Sequence, residues 1–196
     1  MPTPELAVLT RTTARLRRSG ILNVCLQLGE TAPDFPIGDS TLYDQLADGP
    51  CVINFFRGLW CAFCKTELEA YAQVRSQLES LGCSYIAITP QALPSEVDDP
   101  TMIRDTDNAI ARRFGLVYEL REDEIALFRN WGLDLSKANG AERWELPLPA
   151  TYVVDTDRTV LFRFVDADFR SRCCPDELIA EVRQRRASTT EGADLA

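Results

Sequence analysis

Leu6, Leu9, Thr13 and Leu16 recur every three or four positions ahead of Gly20, a spacing that predicts an amphipathic helix stopping at the glycine. The next stretch, GETAPDFPIGDS at 29–40, is rich in turn-forming residues and reads as connecting chain. Then the pattern changes. Cys51 to Phe56 (CVINFF) is an unbroken apolar run between Gly49-Pro50 and Gly58, as expected of a strand buried on both faces. Beyond it, Leu68, Tyr71, Val74, Leu78 and Leu81 return to steps of three and four, predicting a helix that ends at Gly82. Cys83 to Thr89 (CSYIAIT) is a second buried strand. Strand, helix and strand in that order predict a parallel βαβ unit with a right-handed crossover.

The remainder is more broken. Asp107 is an expected N-cap for the helical run NAIARRF, closed by Gly115, and LREDEIALFRNW at 120–131 is a second helical stretch with acids at its start. Residues 132–148 read as irregular. Thr151–Asp155 and Thr159–Val165 flank the turn Thr156-Asp157-Arg158 and predict an antiparallel hairpin, and Asp176–Arg186 predicts a closing helix after Pro175. The tail STTEGADLA, 188–196, is expected to be disordered. The fold class is therefore α/β, a central mixed sheet flanked by helices, in a chain of single-domain length with no internal repeat.

A formal charge of -9 works against nucleic acid and anionic membranes as partners, since most of the surface repels a polyanion. The arginines at 11, 15, 17 and 18, and at 183, 185 and 186, sit in helical patterns and read as solvated faces. No stretch approaches the roughly 20 apolar residues of a membrane span, and the first residues lack a secretory apolar region, so the expected location is cytoplasmic. Glycine patterns of nucleotide-binding loops are absent, and no cofactor is expected. Asp155-Thr156-Asp157 and Asp166-Ala167-Asp168 fall at turns, where aspartate bonds its own backbone.

Seven cysteines and no histidine narrow the chemistry further. Without imidazole there is no Ser-His or Cys-His pair and no histidine-ligated metal. Cys25, Cys51 and Cys83 lie inside apolar runs and read as core. Cys61 and Cys64 differ, because their two-residue spacing falls where the strand becomes a helix. A helix N-terminus and nearby cations lower a thiol from its usual pKa of about 8.5, and Arg57 and Lys65 are the cations at hand. Such a pair reads as a dithiol redox centre, against the alternatives of half a zinc site and of core packing. Cys173 and Cys174 lie in a loop and cap where a thiol can be exposed, and are possible resolving thiols. Pro149 stands directly before a strand, at a position where the X-Pro bond can be cis.

From about Leu28 to Arg186 the chain resembles the peroxiredoxin-like branch of the AhpC/TSA (alkyl hydroperoxide reductase and thiol-specific antioxidant) family. The matching segments, in order, are GETAPDF (29–35), FFRGLWCAFCKTEL (55–68), AIARRFGL (109–116), LPLPATYVVDTDRTV (146–160) and VDADFRSR (165–172). The resemblance implies a thioredoxin-like fold over 28–187, with 1–27 as a helical extension. It also implies reduction of hydroperoxides by a thiolate that becomes a sulfenic acid and then a disulfide, with a thioredoxin-like or small-thiol reductant, and a homodimer is common among such proteins. Cys64 then resembles the peroxidatic cysteine, whereas thioredoxin-like order, with Trp60 before Cys61, makes Cys61 the attacker. The family's arginine near the strand at Thr151 is replaced by Pro149-Ala150, and Arg57 is the expected substitute. A thiol peroxidase is the leading expectation. The alternatives are a thiol-disulfide oxidoreductase and a non-catalytic thiol-binding or redox-sensing protein.

Overall fold

The computed structural model describes residues 3–97 and 99–193. Helix α1 (Pro4–Ser19) starts at Thr3, whose hydroxyl accepts from the Leu6 amide at 3.3 Å, and stops at Gly20 in the left-handed conformation. Helix α2 (Ile21–Val24) follows directly. Leu16, Ile21 and Cys25 are buried in the main core, so the segment expected as an extension packs with the rest of the chain. Ribbon strands β1 (Pro36–Ile37) and β2 (Ser40–Thr41) lie within the connecting chain and lead into α3 (Leu42–Leu46), capped reciprocally by Thr41 and Asp44.

Strand β3 (Cys51–Phe55), helix α4 (Ala62–Ser80) and strand β4 (Ser84–Thr89) form the expected parallel unit, with Cys51 opposite Ser84 and Phe55 opposite Ile88. A short strand absent from the sequence reading, β5 (Met102–Arg104), extends the sheet beyond β4. Next come a 3-10 turn at Thr106–Asn108, α5 (Ala109–Arg113), β6 (Val117–Glu119), α6 (Glu122–Asn130), α7 (Leu135–Asn139) and β7 (Glu145–Pro147). Residues 132–148 are thus more ordered than their composition implies, because β7 pairs antiparallel with β6. The hairpin of β8 (Ala150–Val154) and β9 (Val160–Val165) completes a five-stranded mixed sheet of order β5-β4-β3-β8-β9. Helix α8 (Pro175–Ala193) continues past Arg186, so residues 188–193 of the expected tail are helical, and 194–196 lie outside the described residues.

Strand alternation sorts the core into two layers. Cys51, Ile53 and Phe55 of β3 face the larger cluster with Phe114, Tyr152 and Leu42. Val52 and Phe56 face the other, with Tyr71, Leu78, Leu178 and the cysteines at 61, 64 and 173. Helices α4 and α8 cover that second face. Cys25, Cys51 and Cys83 are buried, as expected of core thiols.

The start of α5 corrects the expected cap. Asp107 has φ 56° and lies within the 3-10 turn, while the buried Asp105 carboxylate accepts from the amides of Ile110 at 2.8 Å and Ala111 at 2.9 Å. An aspartate two residues earlier reaches further into the helix because the turn folds it back. Asp105→Ala leaves both buried amides without an acceptor, and a loss of about 2 kcal/mol in urea unfolding is expected, larger than the loss for Asp107→Ala.

Candidate active site

The chain leaves β3 through Phe56 and Arg57 and turns at Gly58, whose φ of 152° is one that other residues rarely adopt. A Cβ there would lie 2.3 Å from the Trp60 indole nitrogen and 2.7 Å from Gln91 Oε1. Gln91 Oε1 also accepts from the Leu59 amide at 2.6 Å, fixing the turn. Cys61 is the N-cap of α4, and Cys64 lies in its first turn. Both thiols are free and buried, with Cys61 6% exposed and Cys64 fully covered.

The two sulfurs are electrostatically unequal. Cys61 is held well below the ordinary thiol pKa, chiefly by hydrogen bonding from the Cys64 thiol, with further help from the Arg57 charge, the Cys64 amide and the Arg172 charge, all against the cost of burial. Cys64 is pushed up for the complementary reasons, as the donor to Cys61 and as a buried group, with Arg172 acting in the other direction. Of the cations expected beside the pair, Arg57 is therefore present. Lys65 is exposed, and the second charge comes from Arg172.

Arg57 is only 2% exposed. Its guanidinium carbon lies 4.3 Å from the Phe169 ring centre, 5.0 Å from Trp60 and 5.5 Å from Phe128, and its Nε has no hydrogen-bond partner. These aromatic faces partly replace its hydration. Arg57, Trp60 and Cys61 line a cavity of about 390 Å³ whose other walls include Leu9, Phe128, Trp131 and Phe169. Trp60 stands edge-on to Phe128 at 5.7 Å.

A second cavity, about 400 Å³, opens on the other side of the first turn of α4, with Glu67, Arg172 and Cys173 in its wall. Phe63 lines both and stands edge-on to Phe169 at 5.7 Å. Arg172 Nη2 donates to Cys64 Sγ at 3.4 Å, while Nη1 forms a very short contact with Glu67 Oε2. Asn54 of β3 donates to Glu67 Oε1 and to Thr151 Oγ1, both at 3.2 Å, and the Tyr71 hydroxyl meets Thr151 Oγ1 at 3.2 Å. Burial pushes the Glu67 carboxyl up to about 7 despite Arg172. A larger cavity, about 730 Å³, is walled by Asp107, Arg112, Asn139 and Glu145 among others and holds no thiol, so it is set apart from this chemistry.

The peptide bond before Pro149 is trans, since no cis bond occurs among the described residues. Pro149 is buried and leads into β8, whose Ala150 pairs with Phe55, so it sits at the sheet end from which Arg57 emerges. Cys173 is not exposed as the loop reading suggested. It is 3% exposed, burial pushes its thiol up to about 12, and Tyr71 hydrogen-bonds to it. Cys174 is exposed and lines neither cavity.

Sequence reasoning missed Glu67, Asn54 and Arg172. Glu67 had a usable signal: Cys64, Glu67, Tyr71, Val74 and Leu78 form the buried stripe of α4, so a carboxylate occupies a core position. No group of histidine, cysteine and carboxylate side chains among the described residues is placed to hold a metal ion.

Residues 28–163 match the model of the AhpC/TSA family. The chain belongs to the AhpC/TSA family. It is accordingly a thiol oxidoreductase of the peroxidase type with a thioredoxin-like fold. The peroxidoxin BcpB of Mycobacterium tuberculosis is 20% identical with TM-score 0.58, over 81% of this chain and 97% of that one. The yeast mitochondrial 1-Cys peroxiredoxin is 16% identical with TM-score 0.62, over 85% and 79%. The reduced 2-Cys peroxiredoxin of Plasmodium vivax is 13% identical with TM-score 0.60, over 85% and 86%. At such identities the likeness is one of fold. No curated protein sequence matches the chain. No helix among the described residues is long and apolar enough to cross a membrane.

The inequality of the two thiols has a direct readout. Of the two, iodoacetamide is expected to label Cys61 before Cys64, with a pH midpoint well below the usual thiol value of about 8.5. Cys64→Ala and Arg57→Ala should each raise that midpoint, the former by about one unit or more. Preferential labelling of Cys64 would contradict the asymmetry.

Proposed function

We propose that the protein reduces hydroperoxides with Cys61 as the attacking thiolate and Cys64 as the resolving thiol. The observation that carries this reading is the unequal placement of the pair: Cys61 is the N-cap of α4 and lines a cavity with Arg57, whereas Cys64 is fully buried and accepts a hydrogen bond from Arg172. The Cys61 thiolate attacks the terminal oxygen of a hydroperoxide ROOH, the O–O bond breaks, and Cys61 becomes a sulfenic acid. The departing RO⁻ takes a proton and leaves as ROH. Arg57 stabilises both the thiolate and the negative charge growing on the leaving oxygen. The Cys64 thiol then displaces the sulfenic oxygen as water, and the sulfurs join in a disulfide within one helical turn. An external dithiol, thioredoxin-like or small, returns two electrons and two protons to restore both thiols.

The competing reading is thiol-disulfide exchange on the same pair, favoured by Trp60 and by the activation of the N-terminal cysteine. Access argues against it as the primary reaction. Cys61 is 6% exposed and lines a cavity of about 390 Å³, which admits a small oxidant more readily than a protein disulfide.

Stopped-flow oxidation of the reduced protein by hydrogen peroxide and an organic hydroperoxide tests the reading. A rate at least about 100-fold above free cysteine is expected for wild type. Cys61→Ser should abolish it, and Cys64→Ser should keep it while a sulfenic acid accumulates. Loss of the rate in Cys64→Ser alone would reverse the roles, and free-cysteine rates throughout would move the activity to disulfide exchange. Arg57→Ala should slow the first step by about tenfold or more. An unchanged rate would remove Arg57 from it.

A further inference from the structure

We infer that Glu67 is the proton acceptor for Cys64 in the resolving step. This rests on the reading of Cys64 as the resolving thiol. That step requires the Cys64 thiol to lose its proton within a fully buried site, in a chain that contains no histidine. A general base must come from elsewhere. Arg172 holds the sulfur and a carboxylate side by side, with Nη2 on Cys64 Sγ at 3.4 Å and Nη1 on Glu67 Oε2. The two terminal nitrogens of a guanidinium lie next to each other in a rigid plane, so the groups bound to them are neighbours. Cys64 and Glu67 are also three residues apart on the buried face of α4. Asn54 fixes the other carboxylate oxygen at 3.2 Å, which locks the rotamer.

Burial places the Glu67 carboxyl near 7, where it exchanges protons readily at neutral pH. The groups facing it are Cys64 and Tyr71 of its own helix, Tyr85 of β4, and Arg172 and Cys173 from the segment after β9. Tyr71 is held protonated by burial, as are Tyr85 and Cys173, and Arg172 is a fixed cation. Glu67 is therefore the member of this group suited to accept a proton near neutrality.

In the resolving step Cys64 passes its proton to Glu67 as its sulfur attacks the sulfenic sulfur of Cys61. The S–S bond forms, the S–O bond breaks, and the departing hydroxide takes up a proton to leave as water. Glu67 releases its proton to solvent through the cavity of about 400 Å³ that it lines. Oxidation state is conserved in this exchange, the two electrons having passed to the peroxide in the preceding step. Arg172 meanwhile stabilises the transient Cys64 thiolate.

The test separates the two steps by rapid mixing, with one equivalent of hydrogen peroxide and tryptophan fluorescence, the disulfide being quantified in acid-quenched samples. In wild type the rate of disulfide formation should rise with pH through an inflection near 7. In Glu67→Gln, disulfide formation should slow at least about tenfold more than sulfenic acid formation does at neutral pH. The defect should shrink at alkaline pH, where hydroxide replaces the carboxylate, and Glu67→Asp should restore part of the rate with an inflection. A purely structural role would give a defect independent of pH. Equal resolving rates in wild type and Glu67→Gln would overturn the inference, as would equal slowing of both steps. If Glu67→Gln does not fold, a wild-type resolving rate without an inflection between about pH 5.5 and 8.5 overturns it. A wild type that forms no Cys61–Cys64 disulfide would instead overturn the underlying assignment of the two thiols.

Discussion

The electrostatic support of the Cys61 sulfur organises the region around the first turn of α4. A thiolate buried to 6% exposure is unfavourable in itself, because desolvation penalises the charged form. It persists because the helix supplies a thiol donor and an amide from one residue, and because arginines approach from two directions. The fold has to deliver all of these to one point. Arg57 follows directly on strand β3, and Arg172 lies in the segment after β9. The chain between β3 and α4 is a tight turn in which a Cβ at Gly58 would press on the Trp60 ring.

The arginines are stabilised differently, and the difference sets the character of the two cavities. Arg57 has aromatic rings around it and faces the thiolate, so its cavity is mainly apolar with one positive charge at its base. Arg172 has a carboxylate partner that is itself buried. Such a pair is costly to desolvate, and removing one partner typically costs about 3 to 5 kcal/mol because the other is left unpaired. Its value is local specificity: with Asn54, Thr151 and Tyr71 it ties β3, α4 and β8 into one polar network beneath the cysteines. The thiols are thus supported by a network that crosses the sheet.

Family membership and the active-site geometry meet at an unusual point. Residues 28–163 match the AhpC/TSA model, while Pro149-Ala150 stand where the family's arginine is expected near β8. Positive charge still reaches the pair, carried by Arg57 and Arg172. Catalysis of peroxide cleavage depends on charge at the reacting oxygens rather than on which strand supplies it. The relocation is therefore chemically permissible.

Much of this molecule follows from local sequence. The buried runs of β3 and β4, the stripe of α4, the β8–β9 hairpin and the cysteine spacing at a strand-to-helix junction are encoded within windows of a few residues, where periodicity and turn chemistry act. Asp105 rather than Asp107 caps α5 because the intervening turn reverses the chain, which residue preference alone does not reveal. Strand β7 forms only because β6 is there to pair with it. Glu67 was visible as an acid in an apolar stripe, but its partner was not: Arg172 is separated from it by 105 positions, and the contact exists only after β9 and the following segment fold back over α4. By itself the sequence determined that imidazole plays no part, and it singled out Cys61 and Cys64 by their spacing at a strand-to-helix junction. That Arg172 acts on the pair was decided by tertiary structure, because it reaches Cys64 only after the chain beyond β9 folds back over α4.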